Sequence, residues 1–341
     1  MLKELSTKAK SFLSIGGKKT EITTEKKNVV VRDDGIDVDG VFYPYPKVEE
    51  KVDVKTENKT YEVKGPGVNI LWNGPIGDVT IVKGNLFCRD VYGNVEATGS
   101  VRCGNISGNA SSKETLTCEN IGGDLTTTNN VKCLMVGGSI STQGIVEATT
   151  VSGSVTTKGN VSIKEGTILS ASAGGQIETK NINGNVNAGT FVKCESISGN
   201  VEAKENVEAT SIGGSVNAGA NATIKGLVNG DVTGGTNVTI EGDVTGNVSS
   251  DNNVKCNNIK GDVEVGEKIY CNDITGNVTS DEKVVANNIT ATELNVDGDV
   301  VIRNDFHGVL NCEGDVGFAK SKEELDVNVE DESDDETEDV D

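Results

Sequence analysis

Aromatic side chains make up only 4% of this chain, which also has one histidine, two methionines and four prolines. Scarce aromatics exclude a wide interior, because Val, Ile, Ala and Cys cannot fill a broad gap between layers at ordinary packing density. The single histidine, His307, leaves no second imidazole for a zinc site and no Ser–His–acid set beyond its own ring. Basic residues are outnumbered, 31 Lys and Arg against 53 Asp and Glu, for a net charge of −22. That deficit excludes nucleic acid as a partner, since affinity there comes mainly from neutralising phosphates. No run approaches the roughly 18 apolar residues of a membrane-spanning helix, and the N-terminus lacks a secretory apolar core. The expected setting is therefore cytoplasmic.

What the chain has in abundance is glycine, 42 residues, and a phrase that recurs. LFCRDVYGNVEATGS (86–100), VRCGNISGNASSKET (101–115), LTCENIGGDLTTTNN (116–130), VKCLMVGGSISTQGI (131–145) and VEATTVSGSVTTKGN (146–160) align without a gap. Units of sixteen residues start at Val161, Ala222 and Val238, and about fifteen units fit between Val68 and Val300. The consensus reads V-x-C/A/I-x-x-I-x-G-x-V-x-A/T followed by three polar residues. Alternation at the first and third places, and again from the eighth to the twelfth, is the period of a strand with one buried face. Such a unit cannot bury its inner face alone and must stack on copies of itself. The expected fold is all-β, a single-stranded β-solenoid or β-helix of about fifteen coils of 15–16 residues, with a small N-terminal β cap and a disordered acidic C-terminal tail.

Seven cysteines, Cys88, Cys103, Cys118, Cys133, Cys194, Cys256 and Cys271, share the third place. Elsewhere that place holds Ala148, Ala209, Ile163, Ile224, Ile240 or Ala286, so it selects small apolar volume and not thiol chemistry. No cysteines lie two to four residues apart as zinc ligation needs, so no metal is expected. Stacked sulfurs are expected about 5 Å apart, too far for a disulfide. The eighth place is glycine in Gly93, Gly108, Gly123, Gly138 and their successors, which marks either positive φ or a close approach of backbones. Beside those glycines stand Asp78, Asp124, Asp231, Asp243 and Asp262, read as solvated corners because the calcium-binding repeat phrase is absent. No catalytic, cofactor-binding or metal-binding residue is assigned.

The chain divides into an N-terminal short amphipathic helix and linker (1–28), a small β cap (29–67), the solenoid (68–318) and the acidic tail (319–341). The helix would set Leu2, Leu5, Ala9, Phe12 and Leu13 on one side, with lysines nearby to meet a membrane surface. From Ser321 to Asp341 there are twelve acidic residues and one lysine, a segment suited to a basic protein partner. ISGNVEA (197–203) and IGGSVNA (212–218) resemble the polymer-forming cytoskeletal proteins called bactofilins, a similarity spanning about residues 68–318. The resemblance implies a non-enzymatic, rod-like scaffold that self-associates without a cofactor. A phage or cell-surface solenoid that displays a binding face is the alternative. A polysaccharide-acting β-helix enzyme would need a cleft with paired carboxylates, and the repeat carries no insertion to build one.

Overall fold

The computed structural model describes residues 84–318 without interruption, together with 77–81, residue 40 and upstream strands at 10–15, 18–23, 29–31, 35–38, 41–44, 55–56, 59–60 and 68–72. Every regular element among the described residues is a strand, and no helix there is long and apolar enough to cross a membrane. The chain is a parallel β-solenoid of about 16 turns, close to the expected fifteen. The acidic tail at 319–341 and residues 1–9 lie outside the described residues.

Two compact units are present, Met1–Ala209 and Thr210–Asp341. In the first, Val101 lies opposite Leu116, Leu116 opposite Val131 and Val131 opposite Val146. Ile106 stacks on Ile121 and Ile121 on Val136, while Ala110, Leu125, Ile140 and Val155 form a third column. Partners fifteen residues apart along all three ladders mean that one repeat is one full coil. In the second unit Val254, Ile269, Val284 and Val300 make the first ladder, Ile259, Ile274 and Ile289 the second, and Val248, Val263, Val278 and Leu294 the third. These columns are buried, together with the third- and twelfth-place residues, while alternate strand residues such as Lys132, Glu147 and Thr126 face water, and each fully buried Val, Leu or Ile contributes about 1.5–3 kcal/mol.

Longer coils keep the columns in register by bulging at a corner. Ala222 pairs with Val238, yet the sixth-place residue is Val228, one position later than in a fifteen-residue coil. Val244 follows the same rule in the coil that starts at Val238. In the coil starting at Val161 the bulge contains Gly166, whose φ of +88° is a left-handed conformation that suits glycine.

The eighth-place glycines are explained by close approach. A Cβ built on Gly199 would stand 2.5 Å from the Asn185 Oδ1 and 2.6 Å from the Gly184 carbonyl carbon of the coil before it. Stacked glycines leave room for that approach; a side chain would force the coils apart.

At the N-terminal end the described residues 10–15 and 18–23 are strands in place of the expected helix, and the rest of that helix, residues 1–9, lies outside the described residues. Strand β1 (Lys10–Ile15) pairs antiparallel with β2 (Lys18–Thr23). The Gly16–Gly17 pair disfavours a continuous helix, and Thr20, Ile22 and Thr23 are β-branched. The expected β cap does contain strands. Strand β3 (Val29–Val31) adds to the third ladder with Val29 opposite Val79, then β4 (Gly35–Val38) and β5 (Val41–Pro44) continue antiparallel from it. Gly40 turns the β4–β5 hairpin at φ +81°, and its N–H donates to the Asp37 carboxylate at 2.7 Å. By register Trp72 shares the ladder position of Cys88.

Candidate functional site

The third-place column is the densest set of reactive groups in the first unit. Cys103, Cys118 and Cys133 are 8%, 7% and 5% exposed, stacked in consecutive coils, whereas Cys88 at the near end is half-buried. All eight cysteines are free thiols. The Cys88 and Cys103 sulfurs, in neighbouring coils, lie 2.8 Å apart, much closer than the expected 5 Å. In the second unit Cys256 is buried beside half-buried Cys271. The column also admits a residue that sequence alone did not assign to it. Thr179 is buried one coil before Cys194, with its hydroxyl unpartnered among the described residues. Burial pushes the Cys133 and Cys194 thiols up to about 12, and the contact with Cys103 followed by burial raises Cys118. The hydrogen bond with Cys271, then burial, raises Cys256. These are protonated, unreactive thiols by position, as interior filler requires.

The carboxylates beside the glycines bind protein. Asp124 accepts the Ser139 N–H at 2.7 Å, and Asp78 accepts the Asn94 N–H at the same distance. In the second unit Asp231 accepts from Asn247 and Asp262 from Asn277, each at 2.8 Å. Asn94, Asn109 and Asn185 perform the same task with their amide oxygens, and Ser139 with its hydroxyl. The ninth place is thus a ladder of short acceptors, each holding the backbone of the next coil. Asp243 differs: it accepts the side-chain amides of Asn257 and Asn258 at 2.8 Å. At the twelfth place buried hydroxyls serve the corner carbonyls, as Ser112 does for Gly99 at 2.8 Å and Ser250 for Thr236 at 2.7 Å. Among the described residues no group of three or more His, Cys, Asp and Glu is arranged to hold a metal ion.

His307 is exposed on the strand Val300–Cys312, opposite Thr290. An open groove of about 380 Å³ in the second unit is lined by Asp251, Glu264 and Asp281, all exposed, with Ser249 and Thr279 between them. Its carboxylates are corner and outward strand positions of three successive coils, and the buried Ser250 in its lining donates its hydroxyl to the Thr236 carbonyl.

The C-terminal end of the second unit is the other feature that sequence reasoning missed. The last strand, Val316–Phe318, pairs parallel with Val300–Cys312 and, among the described residues, with nothing else. Val309, Val316 and Phe318 are 58%, 44% and 58% exposed there. Cys312, the one cysteine outside the third place, stands in the twelfth-place column opposite Val296, and its thiol donates to the Gly298 carbonyl at 3.1 Å. Comparison with protein families, curated proteins and solved structures finds no match for the chain.

Proposed function

We propose that this protein is a non-enzymatic scaffold whose solenoid self-associates through its C-terminal coil. The observation that carries the reading is the last strand: its outer backbone edge is unpaired among the described residues, and Val309, Val316 and Phe318 are exposed beside it. An unpaired parallel edge with an apolar rim is a template for another strand. A second copy of this chain offers the same edge with the same spacing. The antiparallel turn of β3 into β4 and β5 supports a closed N-terminal end, so joining two open ends about a two-fold axis gives a dimer. Filaments would require β3–β5 to move aside.

The resemblance of ISGNVEA and IGGSVNA to bactofilins supports a cytoskeleton-like role, and corner carboxylates engaged in coil-to-coil hydrogen bonds support a structural use of those acids. Eight free cysteines suit a reducing, intracellular compartment. Light scattering and electron microscopy of the purified full chain test the proposal. Wild-type protein is expected as dimers or longer assemblies, and the double variant Val316→Lys, Phe318→Lys as monomers. Monodisperse wild-type monomers at every salt concentration would remove self-association.

A further inference from the structure

We propose that Cys88 and Cys103 form a redox-sensitive pair, which a low-molecular-weight disulfide oxidises to tie two neighbouring coils covalently. Their sulfurs are 2.8 Å apart, and a bonded pair needs about 2.05 Å. Cys88 ends one strand and Cys103 directly follows the next, and the two strands are adjacent in one parallel ladder, with Leu86 opposite Val101 and Phe87 opposite Arg102. Neighbouring strands lie about 4.8 Å apart, inside the roughly 4.4–6.8 Å between Cα atoms that a disulfide spans. Bond formation therefore asks for small side-chain rotations and leaves the backbone ladder in place.

Access divides the labour between the two thiols. Cys88 is half-buried at the end of the cysteine run, whereas Cys103 is buried. Cys118 draws the Cys103 thiol down, but the hydrogen bond with Cys88 and burial outweigh it and leave Cys103 raised. Cys88 is accordingly the attacking group. Its thiolate attacks one sulfur of a disulfide such as glutathione disulfide, forming a mixed disulfide and expelling one glutathione thiolate. Cys103 then passes its proton to that thiolate or to water and attacks the Cys88 sulfur, expelling the second glutathione. The protein pair loses two electrons and two protons, and the small disulfide becomes two thiols.

The same column supplies a control. Cys194 has Thr179 in the coil before it, and the repeat sets Ala209 in the coil after it, so it has no neighbouring thiol. Ala148 occupies the third place next to Cys133, so alanine is tolerated there and Cys103→Ala is expected to fold.

The test is to expose the reduced, folded full chain to glutathione disulfide, block remaining thiols and map tryptic peptides without reduction. Cleavage at Arg89 and Arg102 separates Cys88, in peptide 84–89, from Cys103, in peptide 103–113. The expected product is those two peptides linked, with Cys194 unmodified. In Cys103→Ala the reaction is expected to stop at glutathione on Cys88. A wild-type Cys88 that stays as the glutathione adduct, links to another cysteine, or remains a free thiol while the unfolded chain reacts would overturn the proposal.

Discussion

A thiol in the third place of a coil exchanges water for Val and Ile neighbours, and only its neutral form tolerates that exchange. Cys133 and Cys194 start from an ordinary value of 9.0 and are pushed up to about 12 by burial. In the unfolded chain they lose their protons near the ordinary value; in the folded chain they hold them. Unfolding above that value therefore releases protons, so their contribution to stability is complete below about pH 9 and is lost as pH rises towards about 12. Each thiol removes up to about 1.4 kcal/mol per pH unit across that window. Urea unfolding at several alkaline pH values is expected to show a shallower loss of stability in Cys194→Ala than in the wild type. Identical slopes would show that Cys194 does not titrate with unfolding.

At the scale of the strand and its corner, the ninth place decides how one coil grips the next. Asp262 is exposed, yet it accepts the Asn277 N–H at 2.8 Å, and Asn247 accepts the Asp262 N–H at the same distance. Replacing Asp262 with Ala removes one acceptor from a turn whose glycines, Gly261 and Gly276, stack closely. A net loss of about 0.5–1.5 kcal/mol is expected, with Asp262→Asn restoring most of it, since an amide oxygen does the same work at Asn247. Urea midpoints measure the loss, and hydrogen exchange at the Asn277 amide locates it. Because each coil touches only its neighbours, faster exchange is expected at that corner and not several coils away. Exchange that rises evenly through the unit would contradict nearest-neighbour stacking.

For the molecule as a whole, charge and assembly meet. A net charge of −22 makes copies repel, and screening shortens the range of that repulsion to about 10 Å at 0.1 M salt. Association through Val309, Val316 and Phe318 is apolar and gains when repulsion is screened. The mean mass from light scattering is expected to rise with salt; a fall would point to a contact made by ion pairs. The repeat made the solenoid legible, because a place that holds Val101, Leu116, Val131 and Val146 at constant spacing can only be a column. The ninth-place ladder was harder to read, since Asn, Asp and Ser share an acceptor and not an identity. Strand β1 was missed because Phe12, Leu13 and Ile15 fit a helical stripe as readily as a strand, and the partner that decides, β2, lies beyond Gly16 and Gly17. The open C-terminal edge was hidden for another reason. Val316 continues the interior pattern faithfully and is exposed only because no further coil among the described residues follows it.

The bulged corner between the third and sixth places has a bearing on how such a chain changes over generations. Coils starting at Ala222 and Val238 each absorb one added residue there, and the coil starting at Val161 absorbs two and gives one back before its third ladder, while the columns stay aligned. Small insertions and deletions at that corner are therefore nearly silent, and it is where lineages can diverge in length, or an engineer can splice in a foreign peptide, without disturbing the stack.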